Sequence, residues 1–128
     1  MTTESKYLFD LHTEHTEWIN ALNLFEDQLQ IMTERLAEVS AKNTAPEVKM
    51  AVEQFQNRLY IQKNELDYLR HDIKQAENAV VAEVEANPVA TDHRKMQDDP
   101  QLRDRVNTYK ALLKNLRAEF NQFAGENL

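Results

Sequence analysis

Apolar side chains recur along the first forty residues at alternating steps of three and four. This spacing is that of the a and d positions of a heptad, so the side chains form one continuous apolar seam along a helix. His15 occupies the one seam position that lacks an apolar residue. The pattern predicts a helix over about residues 5–42, with the seam Leu8, Leu11, Trp18, Leu22, Phe25, Leu29, Met32, Leu36 and Val39.

A short break separates this helix from a second one. Asn43 suits the end of a helix, and Thr44 with Glu47 three residues later has the spacing of a capping box. Pro46 between them is typical of a first helical turn. A second apolar seam then predicts a helix over about residues 46–87, and Gln62 is its polar interruption.

A third and shorter helix follows a charged loop at residues 88–99. Asp99 before a proline is an N-cap signal, and Gly125 has the position of a C-terminal cap, which bounds the helix at about 100–124. A chain of 128 residues is long enough for one core and too short for two. We therefore predict an all-α fold, with all three helices in one antiparallel bundle and a single domain over residues 1–128.

The lengths of the three helices predict where a partner would bind. If helices one and two pack without slip about their short turn, and helix three folds back along helix two, helix three ends near the level of residue 63. The hairpin end beyond that level then lacks a third helix, and an exposed apolar patch of this kind marks an association surface. We therefore predict a homodimer through the hairpin end, around Leu29, Leu36, Val52 and Phe55.

Composition narrows the classes of function. The net charge of −7 argues against binding to nucleic acid, which requires a basic face. We expect no membrane association either, because the chain lacks an apolar run of about 18 residues. The absence of cysteine excludes disulfides and thiolate metal sites. The first residues lack the basic segment and apolar run of a signal peptide, so we expect a cytoplasmic protein.

Four candidate metal ligands cluster in the predicted hairpin. His12 and His15 lie one turn apart on the first helix, and the hairpin register places His12 level with Glu77. With His71, these residues could converge in one layer of the bundle, and imidazole with carboxylate suits zinc or another divalent transition metal. The alternative is structural, because His71 falls at an outer heptad position and a seam histidine is more often a register device than a ligand. A buried His15 could also make the bundle respond to pH.

Three segments of the chain resemble a group of small bacterial helical-bundle proteins of unassigned function. These segments are LHTEHTEW near the start, NPVATDHRK leading to LRDRV, and LRAEFNQF near the end. The resemblance covers most of the chain and implies a helical fold. The group is richer in histidine around the positions held here by Gln75 and Asp99, which implies a metal-linked or proton-linked role that is weaker in this member.

The sequence contains none of the signatures of the common enzyme classes. A glycine-rich phosphate loop, a nucleophile elbow and a zinc-protease motif are all missing. We therefore expect a non-enzymatic, oligomeric helical-bundle protein without a cofactor, which acts through protein–protein association. The alternative is a metal-binding bundle that uses His12, His15, His71 and Glu77.

Overall fold

The computed structural model describes residues 5–91 and 93–128 and consists of three packed helices and one short ribbon. The predicted all-α fold, with two long helices and a shorter one, is confirmed. Residues 1–4 and Asp92, which belong to the predicted domain and loop, lie outside the described residues. The elements are β1 at Ser5–Tyr7, α1 at Leu8–Lys42, α2 at Pro46–Ala86, β2 at Lys95–Gln97 and α3 at Pro100–Asn127.

The turn between α1 and α2 is built differently from the predicted capping box. Ala45 is the N-cap of α2, so Thr44 stands one residue too early to cap it. Pro46 opens the helix as predicted. Asn43 follows α1, and its side-chain amide donates to the carbonyl of Val39 at 2.8 Å. The end of α1 is therefore satisfied by a side chain rather than by a left-handed residue.

The predicted register of the α1–α2 hairpin is confirmed by contacts along its length. Lys63 Nζ donates to Glu26 Oε2 at 2.7 Å, and Lys49 Nζ donates to the carbonyl of Ser40 at 2.6 Å. In each pair the two residues are equally distant from the turn. From Trp18 to the turn, most seam residues of both helices are buried in one core with residues of α3. The apolar periodicity and a short turn were therefore sufficient to align these two helices.

The predicted position of α3 is wrong. The hydroxyl of Tyr109 donates to the carbonyl of Gln62 at 3.0 Å, whereas folding back at the end of α2 would have placed Tyr109 near residue 79. Phe120 packs edge-on against Phe55 with ring centroids 5.5 Å apart. The third helix is thus displaced toward the hairpin turn by roughly 20 Å along the bundle axis.

A two-stranded ribbon accounts for this displacement. β1 and β2 pair antiparallel, with Lys6 opposite Met96, although we predicted helix from about residue 5 and a loop at 88–99. The connector after α2 therefore runs back along the bundle before α3 begins. Arg94 holds it in place, because its guanidinium donates to the carbonyls of Glu83 and Asn87 at the end of α2.

This displacement removes the predicted dimer interface. Leu29, Leu36, Val52 and Phe55 are only 3%, 1%, 3% and 9% exposed within a single chain. Since α3 already covers them, they form no exposed apolar patch, and the prediction of a dimer through these four residues is wrong. The physical argument about an uncovered two-helix end applies instead to the opposite end of the bundle.

The third helix also runs further than predicted. It continues to Asn127, and Gly125 lies inside it rather than capping it with a left-handed conformation. The carbonyl of Asn127 accepts a hydrogen bond of 2.7 Å from the Asn43 side chain, so the end of α3 is joined to the hairpin turn. At the other end, Asp99 is the predicted N-cap, and its carboxylate accepts from Leu102 N at 3.1 Å.

Candidate functional site

One end of the bundle contains only two of its helices. Here residues 8–15 of α1 lie beside residues 76–86 of α2, and we call this region the open end. Its small core consists of Leu8, Leu11 and Val80, with Val84 and Met96 packed against it and with no side chain from α3. The main core begins at Trp18. The apolar core of the open end is therefore formed by two helices and the ribbon alone.

Glu77 joins two histidines at the open end. Nδ1 of His12 lies 2.5 Å from Glu77 Oε2, and Nδ1 of His15 lies 2.9 Å from Oε1. Each ring N–H donates to its own carboxylate oxygen, so a single glutamate accepts from both imidazoles. His15 is 5% exposed, whereas the side chain of His12 is 55% exposed. We call these three residues the His–Glu–His cluster.

The sequence pattern explains how this cluster forms. The imidazoles are three residues apart, so they occupy neighbouring positions on one face of α1. The indole ring of Trp18, the next seam residue, packs against the imidazole ring of His15, with the ring centroids 5.5 Å apart. The fourth candidate, His71, is exposed on α2 and does not line the grooves around the cluster. Three of the four predicted ligands therefore come together. His71 does not join them, because it occupies an outer heptad position.

The geometry of the cluster is that of hydrogen bonds. Both Nδ1 atoms point at carboxylate oxygens. Within residues 5–91 and 93–128, no group of three or more acidic, histidine or cysteine side chains is arranged to hold a metal ion. A metal at either Nδ1 atom would have to displace the proton that the ring donates to Glu77.

Two grooves meet at the cluster. The first has a volume of about 410 Å³ and apolar walls, and Phe9 and Val81 at its rim are 67% and 42% exposed. We call it the apolar groove; its lining is Leu8, Phe9, His12, Glu77, Val80, Val81, Val84, Glu85 and Thr91. The second, of about 330 Å³, has mostly polar residues in its lining and lies toward Asn20 and Lys74; we call it the polar groove. His12 and Glu77 line both grooves, so the cluster forms the ridge between them.

An arginine fixes the boundary between the open end and α3. Arg103 donates to both oxygens of Glu14 at 2.7 and 2.8 Å, and to both oxygens of Asp98 at 2.8 and 2.9 Å. Hydrogen bonds from Arg103 hold the pKa of both carboxyl groups below their ordinary values, against the opposing effect of burial. The same bonds raise the pKa of Arg103. These three residues tie the first turn of α3 to α1 and to the ribbon.

Sequence reasoning missed this anchor and the apolar groove. Both depend on the ribbon, which brings Asp98 and Met96 back beside α1. Nothing in the sequence signals that Arg103 pairs with Glu14, because the two residues are 89 positions apart in the chain. Exposed apolar residues such as Phe9 and Val81 lie beside the seam. They form an apolar surface only because no third helix covers this end of the bundle.

Comparison with known proteins provides no family for this chain. No protein-family model matches it, and no curated protein or solved structure matches it either. The resemblance to small bacterial helical-bundle proteins stays a prediction. Within the described residues, no helix has the length and apolar character needed to cross a bilayer.

Proposed function

We propose that this protein is non-enzymatic and acts through protein–protein association, with a second copy of itself bound at the open end. The observation that carries the proposal is the apolar groove beside a protruding aromatic ring. Phe9 is 67% exposed at the rim of the groove that Val80, Val81 and Val84 line. Exposure of a phenylalanine ring to water is unfavourable. Burial of the ring in an interface would therefore stabilise the complex.

Self-complementarity favours a second copy as the occupant. A two-fold dimer uses the same patch on both subunits, so a patch that offers both a projecting group and a cavity can pair with itself. The open end has both features, because Phe9 projects at the rim and the groove has a volume of about 410 Å³. In this arrangement the Phe9 ring of each copy enters the groove of the other. The two helix ends from each copy then complete a four-helix arrangement around the apolar groove.

The charge of the protein predicts how the association responds to salt. Each copy has a net charge of −7, and Glu77 and Glu85 lie in the groove lining. Two such surfaces repel one another. Salt weakens this repulsion, because at 0.1 M ionic strength charges more than about 10 Å apart are largely screened. We therefore expect the dimer to become tighter as sodium chloride is added. An interface built on ion pairs would become weaker.

Sedimentation velocity over about 1 µM to 1 mM protein tests the proposal, because this range includes the dissociation constants of weak dimers. Val81→Asp should abolish the dimer, since it buries an unpaired carboxylate in the interface. Ile61→Asp is the matched control, because Ile61 is also an exposed residue of α2, 51% exposed, and lies far from the open end. A monomer at every concentration, or equal loss in both variants, would refute the proposed interface.

Zinc binding by the His–Glu–His cluster is a second candidate. It is favoured by the convergence of two imidazoles on one carboxylate, which are the side-chain types that zinc prefers. Because the three groups are arranged for hydrogen bonds, they would have to turn toward the ion to bind it. Native mass spectrometry after addition of zinc should then show one retained ion. The ion should be lost in His15→Asn and Glu77→Gln but kept in His71→Asn. An apo mass throughout, or equal loss in His71→Asn, would exclude this candidate.

A further inference from the structure

Two arginines differ from the other five in the chain. Arg58, Arg70, Arg94, Arg103 and Arg105 each form an ion pair with a carboxylate. Within the part of the chain that the structure describes, Arg35 and Arg117 have no carboxylate at ion-pair distance.

Both unpaired arginines line the same groove. It lies between α1 and α3, has a volume of about 240 Å³, and is lined by Gln28, Ile31, Met32, Arg35, Arg117 and Asn121. We call it the arginine groove. Its lining contains two cations, two amides and two apolar side chains but no acid. The grooves at the open end, by contrast, carry Glu77, Glu85 or Glu14.

The helices explain why no acidic residue neutralises this groove. Arg117 and Asn121 stand one turn apart on α3, and the positions one turn before Arg117 are Leu113 and Lys114. On α1, Glu34 and Glu38 are near Arg35 in sequence but do not line the groove. The Glu34 carboxylate accepts instead from Gln30 Nε2 at 3.2 Å. Two like charges therefore face one space, and their repulsion would be relieved by an anion between them.

We propose that Arg35 and Arg117 form a binding site for a phosphate group. A guanidinium presents parallel N–H donors that match the oxygens of phosphate, and two of them can hold a doubly charged group from two sides. The Asn121 amide provides a further donor at the same groove. Ile31, which is 50% exposed, gives the site an apolar wall. The wall favours a phosphate monoester with a small apolar substituent over free phosphate.

NMR titration in a buffer free of phosphate tests the site, at constant ionic strength adjusted with sodium chloride. The probes are inorganic phosphate and phenyl phosphate, which separate the free ion from a monoester. We expect saturable shifts of the Arg35 and Arg117 Nε–H signals and of the Ile31 and Asn121 amides, with tighter binding of phenyl phosphate. Arg35→Gln and Arg117→Gln should each weaken binding about tenfold, because a charge-assisted hydrogen-bond pair is lost.

Lys74→Gln is the control for net charge. It removes one positive charge from the polar groove at the other end of the bundle and should leave phosphate affinity unchanged. Both arginine positions are exposed, so the two variants should retain the amide spectrum of the folded protein. Shifts spread over all basic side chains, or equal weakening by Lys74→Gln, would overturn the site. So would the absence of any saturable shift with either probe.

Discussion

Replacing Arg103 by glutamine should destabilise the protein more than the loss of any other ion pair. Its guanidinium makes four hydrogen bonds of 2.7 to 2.9 Å to the two carboxylates of Glu14 and Asp98. The side chains of Arg103 and Glu14 are 23% and 25% exposed, and that of Asp98 is 6% exposed. The variant therefore leaves one nearly buried carboxylate without its cation.

The expected cost follows from these exposures. An exposed ion pair contributes about 0–1 kcal/mol, whereas loss of one partner from a buried pair costs about 3–5 kcal/mol. The free-energy cost of losing the pair with Glu14 should lie between these two values. The cost of losing the pair with Asp98 should lie near the value for a buried pair. We expect the free energy of unfolding to fall by about 3 kcal/mol at pH 7. Arg105→Gln is the control, because Arg105 and Asp72 are 42% and 43% exposed and should contribute less than about 1 kcal/mol.

Urea denaturation followed by circular dichroism measures this difference and its dependence on pH. Arg103 lowers the pKa of Glu14 and Asp98 below the ordinary values of 4.5 and 3.8. Groups with a lowered folded pKa stabilise the protein fully above their ordinary pKa, and this contribution is lost as the pH falls through the lowered one. The difference between the wild type and Arg103→Gln should therefore shrink below about pH 4.5. A cost equal to that of Arg105→Gln, or a difference that is the same at pH 7 and pH 3, would refute the reasoning.

Three further changes test the packing and capping of α3 by urea denaturation. Tyr109→Phe removes the hydrogen bond to the Gln62 carbonyl and should cost about 1 kcal/mol; burial also raises the pKa of Tyr109, so its phenol should resist ionisation past pH 10 in a spectrophotometric titration. Phe120→Ala empties a fully buried site and should cost about 3–5 kcal/mol, and a cost below about 1 kcal/mol would contradict the core assignment. Asp99→Ala should cost about 1 kcal/mol as the loss of an N-cap, whereas Thr44→Ala should cost less, and equal costs would contradict the cap assignments.

The hairpin could be predicted because its alignment depends only on local information. The heptad seam sets the facing sides of α1 and α2, and a turn of three residues leaves little freedom for slip. The contact between His12 and Glu77 followed directly from this alignment. His15 reaches the same carboxylate because it lies one turn further along the same face of α1.

The position of α3 could not be predicted in the same way, because it depends on contacts between distant parts of the chain. The ribbon joins Ser5–Tyr7 to Lys95–Gln97 with three residues on each side, too few to show an alternating pattern. A heptad seam repeats every seven residues, so by itself it does not set the height of α3 along the hairpin. The ribbon and Arg103 select one height, and that selection moved the uncovered end from the hairpin turn to the opposite end of the bundle.

Disulfide trapping tests the central claim, association through the open end, most directly. The chain contains no cysteine, so a single cysteine at position 85 reports only on contacts between copies and leaves Phe9 in place. Glu85 lies in the lining of the apolar groove. Under mild oxidation, Glu85→Cys should form a covalent dimer at least about tenfold faster than Glu53→Cys, because a specific dimer raises the effective thiol concentration. Glu53 is also an exposed acidic residue of α2 and lies away from the open end. Equal rates for the two variants would contradict the account.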